Sequence, residues 1–452
     1  MTNLAHLFIN AFVWFNHFLN ELIWGIPLII LILGTGVYLT FRTGFIQVTR
    51  SGTIIKTIVS GFVQKRKGEG DISPFQALTT ALAATVGTGN IAGVATAISL
   101  GGAGAMFWMW FSAFFGMITK YSEIVLAVHF RERKPGSGVA GGPMYFLEKG
   151  LNNRTLAVLF AVFGSMAAFG IGNMVQANSV ADAVAETFGI PSLITGLILA
   201  VAAGLVILGG IKRIALITEK LVPFMALFYV AGAIVILLLY KEAVPRALGS
   251  ILSLAFTREA AVGGFVGAGV REAVRFGVAR GIFTNEAGLG SASIAHASAR
   301  TEHPVQQGVW GIIEVFIDTI LICTLTALVI LVTGALDSGL EGAALTTEAF
   351  NRGLPGPGGL IVAVGLIFFA FTTLLAWSFY GEKCFEFLFG TRASIRYRQA
   401  WLPFIIVGAV GGLRGIWALA DTLNGLMAIP NLIGLVGLSG LVVKLTRDYF
   451  PN

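Results

Sequence analysis

Apolar stretches of about twenty residues recur along the whole chain, and each is long enough to cross the roughly 30 Å hydrocarbon core of a bilayer as a helix. They cover residues 24–41, 74–100, 103–130, 154–186, 191–209, 221–240, 278–299, 308–334, 358–380, 401–419 and 422–443. Lipid offers no hydrogen bonds, so a spanning backbone must satisfy its own polar groups, which leaves helices or closed barrels. Stretches of this length read as helices, and the expected class is an all-α polytopic membrane protein. Only 12% of the 452 residues are charged, about half of ordinary soluble usage. A water-soluble surface cannot be built from so few charges, and disorder needs more of them. Residues 4–23 carry His6, Asn10, His17, Asn20 and Glu21 at spacings that gather on one helical face, as in a helix lying in the interface. A twelfth span is the alternative there. No cleaved leader is expected, because no basic segment precedes a short apolar core with a small-residue cleavage site.

The net charge of +7 fits the excess of lysine and arginine in cytoplasmic loops better than a nucleic-acid footprint. Arg42, Arg50, Lys56, Lys65, Arg66 and Lys67 crowd the first loop, and Lys383, Arg392, Arg396 and Arg398 crowd a later one. Eleven spans then place the N-terminus outside and the C-terminus, residues 444–452, in the cytoplasm. The few outer charges concentrate in residues 241–277, expected to be an extracellular linker holding short surface helices. Cys323 and Cys384 lie in or beside apolar spans and make no disulfide framework.

Two spans are interrupted. Residues 84–90 read Ala-Thr-Val-Gly-Thr-Gly-Asn and residues 283–290 read Phe-Thr-Asn-Glu-Ala-Gly-Leu-Gly. Glycine, threonine and asparagine weaken a helix interior, and irregular backbone at membrane depth survives only in protein or beside a cavity. Close packing of helices through small residues explains one such pair. The matched placement points further. With residues 24–41 set aside as an extra helix, residues 74–240 and 278–443 form two five-span halves, each beginning with a broken span. Odd halves have opposite topology, and paired breaks of this kind mark transporters with inverted repeats and a midplane site. Free amides at a half-helix start hold an anionic group, and free carbonyls hold cations. A zwitterion and a sodium ion are the natural occupants.

Glu286 is the ionisable residue nearest a break; it reads either as a functional group or as a hydrogen-bond partner of the unwound backbone. Glu314 and Asp318, four apart, share a helical face and read as cation ligands or as interhelical hydrogen bonds. Asn173 and Gln176 share another face, with Asn178 close by; Gln176 reads as a substrate ligand or as polar glue.

Residues 101–116, Gly-Gly-Ala-Gly-Ala-Met-Phe-Trp-Met-Trp-Phe-Ser-Ala-Phe-Phe-Gly, resemble the signature of the alanine or glycine:cation symporter family. Gly138-Val139-Ala140-Gly141-Gly142-Pro143-Met144-Tyr145 and Thr284-Asn285-Glu286-Ala287-Gly288 resemble it too, so the likeness runs over nearly the whole chain. It implies the LeuT-type fold, sodium coupling and small neutral amino acids, alanine and glycine, as substrates; no cofactor is implied beyond the ion. More distantly, Gly87-Thr88-Gly89-Asn90, Phe283-Thr284 with Gly288, and Thr372-Thr373 are similar to the motifs of LeuT-fold neurotransmitter:sodium symporters. By position, that resemblance implies one sodium at the Thr85 carbonyl, Asn90 and Thr284, and another at the Val86 carbonyl, Thr372 and Thr373, with Asp318 as a further candidate. The substrate carboxylate is implied at the amides of Gly87 to Gly89, with Thr85, Thr88, Gln176, Phe283, Asn285, Gly288, Thr373 and Trp377 completing the pocket. Trp377, one turn beyond Thr373 on the same face, reads as a wall that shrinks the pocket to alanine or glycine size or as a lipid-facing or packing tryptophan.

The rival readings are a cation-coupled carrier of another small solute, a channel, and a membrane enzyme. The five histidines, His6, His17, His129, His296 and His303, are dispersed and form no metal-binding spacing. No phosphate-binding loop is present in the sequence, so ATP-driven transport is disfavoured.

Overall fold

Ser73 and Pro74 start the first interrupted span. The Ser73 hydroxyl accepts from the Gln76 amide while the Gln76 side chain accepts from the Ser73 amide, with Pro74 in the first helical turn, a complete capping box. The computed structural model describes residues 16, 20, 25–63, 68–256, 269–411 and 414–450. Most of the interfacial helix expected over residues 4–23 therefore lies outside the described residues.

The main helices are α1 (Ile26–Thr43), α2 (Pro74–Thr85), α3 (Val94–Gly101), α4 (Ala105–His129), α5 (Arg154–Ala167), α6 (Val175–Phe188), α7 (Ser192–Ile207), α8 (Gly210–Leu239), α9 (Val270–Asn285), α10 (Ala292–Ala297), α11 (Pro304–Val315), α12 (Thr324–Val332), α13 (Gly358–Phe389), α14 (Ala393–Val410) and α15 (Arg414–Gly437). A two-stranded antiparallel hairpin, β1 (Glu132–Lys134) and β2 (Gly138–Ala140), follows α4. Among the described residues six helices are long and apolar enough to cross a membrane, and α2 and α3 qualify together as a pair bent by 52°. α9 begins at Val270, eight residues before the expected span. Its first turns carry Arg271, Glu272 and Arg275, which hide a helix from hydropathy. The segment expected as a linker also holds a helix, Val244–Leu254.

Among the described residues three spans contain a wide, π-helical turn: Gly89–Gly93 before α3, Ala168–Met174 between α5 and α6, and Phe316–Cys323 between α11 and α12. Such turns cluster at functional sites. All three border the same central region.

Helix α4 is the buried axis. A methyl group added at Gly281 of α9 would meet Ser112 Oγ at 2.5 Å, and one at Gly308 of α11 would meet Val125 Cγ2 at 2.6 Å. Small residues here let three helices approach closely. The opposite surface is apolar outward: Val201 and Leu205 on α7 and Leu227 and Leu238 on α8 are each at least 65% exposed. Water would penalise that belt, whereas hydrocarbon does not.

At one end of the bundle the segments flanking the two broken spans pair with each other. Residues 69 and 72 form β-bridges with 301 and 299. The Arg131 guanidinium donates to the carbonyls of Ala297, Ala299, Glu69 and Thr301, which ties both segments to the end of α4.

Candidate transport site

In the first break α2 ends at Thr85 and the chain turns through Val86 to Thr88 before the helix resumes. The Asn90 Oδ1 accepts from the Gly87 amide at 2.9 Å, so this break is capped by its own side chain. In the second break α9 ends on Glu286, whose backbone is left-handed (φ 55), and Gly288 and Gly290 follow at φ 97 and 81. Glycine tolerates that conformation readily. The two breaks lie against each other: a methyl on Gly89 would sit 2.8 Å from Thr284 Cγ2.

Between them is a small cavity lined by Ala84, Thr85, Gly87, Thr88, Gly89, Ile171, Gln176, Phe283, Glu286, Thr373, Trp377 and Asn424. Thr88, Gly89 and Phe283 also border a much larger vestibule, whose walls include Asp182, Glu186, Arg280 and Glu348. Phe283 thus stands where the two spaces meet, with the Arg280 guanidinium 5.7 Å from its ring. Two acceptors in the small cavity are unpaired: Gln176 Oε1 and Asn424 Oδ1 are buried and have no hydrogen-bond partner. Gln176 Nε2 donates to the Ile171 carbonyl at 3.0 Å.

Of the substrate residues expected from sequence, Thr85, Gly87, Thr88, Gly89, Gln176, Phe283, Thr373 and Trp377 line this one cavity. The structure places Asn285 and Gly288 elsewhere. Asn285 Nδ2 donates to Thr319 Oγ1 at 3.2 Å, and the Gly288 amide donates to Glu123 Oε1 at 2.9 Å. Ala84, Ile171, Asn424 and Glu286 are lining residues that the expected set omitted. Asn424 had a signal, the polar run Asp421-Thr422 just before it in an apolar span; Ile171 had none.

The expected ion ligands fall into two groups. In the first, Asn90 Nδ2 donates to Asp318 Oδ1 at 2.7 Å and to the Asp318 carbonyl at 3.1 Å. Thr319 Oγ1 donates to Asp318 Oδ2 at 2.8 Å and lies 3.5 Å from Thr284 Oγ1. Every member is buried. A carboxylate beside two threonine hydroxyls offers oxygen ligands of the kind a hard cation takes, and an ionisable group at membrane depth carries a cost that a bound ion offsets. Thr319 belongs to this group and was missed, because one threonine in an apolar span gives no pattern. In the second group Thr373 lies against Gly87, where an added methyl would meet Thr373 Oγ1 at 2.9 Å. Thr372 and Thr373 both donate to the Phe369 carbonyl; Val86 is fully buried, and Thr85 donates to the Ala81 carbonyl.

A third polar network sits beneath the second break. Glu123 Oε1 accepts from the Gly288 and Gly290 amides and from Asn431 Nδ2. Lys120 pairs with Glu314 Oε1 at 3.3 Å, and Glu314 Oε2 lies 2.9 Å from His296 Nε2. Asn173 is turned away from the cavity, donating to the Trp401 carbonyl.

Residues 9–452 match the sodium:alanine symporter family. The chain belongs to that family. It is 52% identical over 446 residues to the sodium/alanine symporter AgcS of Methanococcus maripaludis, with 97% of each chain covered. It is 40% identical to the probable sodium/glutamine symporter GlnT of Bacillus subtilis, over 95% of this chain and 89% of that one. Among solved structures, MhsT in complex with L-phenylalanine matches with a TM-score of 0.54 at 14% identity, over 84% of this chain and 99% of that one. The family member described here is therefore a multi-pass transporter of LeuT-type fold, and it is not an enzyme.

Proposed function

We propose that this protein is a sodium-coupled symporter that takes up alanine, and glycine with it, by alternating access. The cavity between the two breaks carries the reading. The carboxylate of an amino acid meets the start of the resumed helix at Thr88 and Gly89, where the first amides have no intrahelical acceptor and the helix dipole is positive. The ammonium group meets the unpaired carbonyl oxygens of Gln176 and Asn424. Thr373, Ile171 and Trp377 leave room for a methyl group and little more.

Sodium binds at the Asp318 group with Asn90 and Thr284. Asn90 links that ion to the first break, since the same side chain touches Asp318 and the Gly87 amide. Occupying the ion site organises the backbone that receives the carboxylate, which couples the two ligands. The Thr85 carbonyl belongs with that first position, and the Val86 carbonyl, Thr372 and Thr373 form a second candidate ion position. Residues 74–240 and 278–443 act as the two inverted repeats, with 24–41 as an added helix, 241–277 outside, 444–452 in the cytoplasm and the N-terminus outside. The vestibule beyond Phe283 is the outer entry, and the Arg131 contacts close the inner side.

Uptake of labelled alanine into proteoliposomes tests this. An inward sodium gradient is expected to drive accumulation above equilibrium, with glycine competing. Equal uptake with and without the gradient would overturn the coupling.

A further inference from the structure

Glu286 spends its side chain on a wall of the cavity. Its Oε1 accepts from the Trp377 indole Nε1 at 3.0 Å, and its Oε2 accepts from Ser291 Oγ at 2.5 Å. Both oxygens are thus held by the protein. Three non-glycine residues among those described have a left-handed backbone, Phe45, Asn152 and Glu286, and Glu286 is the buried one, at 4% exposure. A long side chain in that conformation costs on the order of 1 kcal/mol or more and persists where the surroundings require it. Glycines stand two and four residues later in the same break, so the position holds glutamate for its side chain.

The indole it grips is boxed in elsewhere. Trp377 is 2% exposed. Its far side rests on Gly172, where any added methyl would overlap the Trp377 Cβ and ring. The Tyr380 ring packs edge-on at 5.6 Å between centroids. Gly172 lies in the π-helical turn between α5 and α6, so the wide turn makes the seat for the ring. The hydrogen bond to Glu286 fixes the remaining freedom, rotation of the indole about its side-chain torsions.

We propose that Glu286 is a positioning residue for substrate size: it locks the Trp377 indole as the wall that excludes side chains larger than a methyl group. The inference rests on the amino-acid symport reading above. It separates Glu286 from the substrate ammonium, because the carboxylate's contacts are with Trp377 and Ser291. A glutamine at 286 keeps the lock, with its carbonyl accepting from the indole and its amide donating to Ser291 Oγ. An asparagine tolerates the left-handed backbone yet is too short to reach. Phenylalanine at 377 removes the same bond from the other side.

The test is uptake of labelled alanine in proteoliposomes under an inward sodium gradient, with unlabelled leucine and methionine as competitors. For Glu286→Asn and Trp377→Phe the inhibition constant of leucine relative to alanine is expected to fall at least tenfold. Glu286→Gln is expected to keep the wild-type ratio. An unchanged ratio in Trp377→Phe would overturn the proposal even if Glu286→Asn fails to fold. Glu286→Gln weakening alanine and leucine alike would overturn it as well, by assigning the charge to the ligand. Wild-type protein that accumulates no alanine would instead overturn the functional reading itself.

Discussion

The two broken spans solve one problem in opposite ways. Each interrupts a helix in the middle of the bundle and must satisfy the backbone groups that the break frees. The first uses a local device: Asn90, three residues on, accepts from the Gly87 amide, and the backbone of Thr88 and Gly89 lines the cavity. The second uses a distant one. The Glu123 carboxylate from α4 takes the amides of both Gly288 and Gly290. The Glu123 side chain fills the second break, whereas the first leaves Thr88 and Gly89 facing the cavity. The glycines of the two breaks divide the same way: Gly87 and Gly89 line the cavity, whereas the amides of Gly288 and Gly290 face the Glu123 carboxyl group.

Removing the Glu123 side chain is the strongest way to break this comparison. Glu123→Ala leaves the Gly288 and Gly290 amides and Asn431 Nδ2 without this acceptor, and each buried group left unpaired costs about 1–3 kcal/mol. The expected result is a melting temperature lowered by several degrees in detergent, with uptake lost; an unchanged melting temperature would show that the second break is not held by Glu123. Next in size is Asp318→Asn. It removes the carboxylate from the ion group, so the sodium concentration for half-maximal alanine binding is expected to rise by tenfold or more; unaltered sodium dependence would place the ion elsewhere.

Gly89→Ala comes third. Its methyl meets Thr284 Cγ2 at 2.8 Å, and alanine affinity is expected to fall about tenfold, while Gly440→Ala, with nothing within 4 Å, leaves it unchanged. Equal behaviour of the two variants would mean that the close approach of the breaks is not needed. The smallest effect belongs to Thr319→Val, which keeps the volume and removes one hydroxyl from Asp318 and Asn285. A two- to fivefold weakening of sodium dependence is expected, and no change would remove Thr319 from the ion group.

The asymmetry also explains what could be read without coordinates. Both breaks were legible, because glycine and polar residues inside apolar spans stand out against composition. The cavity side of the first break was legible too, since Gly87, Thr88 and Gly89 are consecutive and their partners Thr373 and Trp377 sit one turn apart on one helix. Sequence places Gly288 and Asn285 beside the substrate because it shows which backbone is broken and not what fills the gap. Glu123 stands 165 and 167 positions from the amides it caps, and in its own span its neighbour at helical spacing is Lys120, which gives no pointer to the second break. Asn424 and Thr319 failed for a related reason: each contributes one oxygen from a distant helix. The early start of α9 was hidden by its charged first turns.

The most direct measurement is a structure of the protein with alanine and sodium bound. The account predicts the alanine carboxylate on the amides of Thr88 and Gly89, its ammonium group toward Gln176 and Asn424, and Glu123 still holding Gly288 and Gly290. A carboxylate of the substrate on the Gly288 and Gly290 amides, with Glu123 displaced, would contradict it.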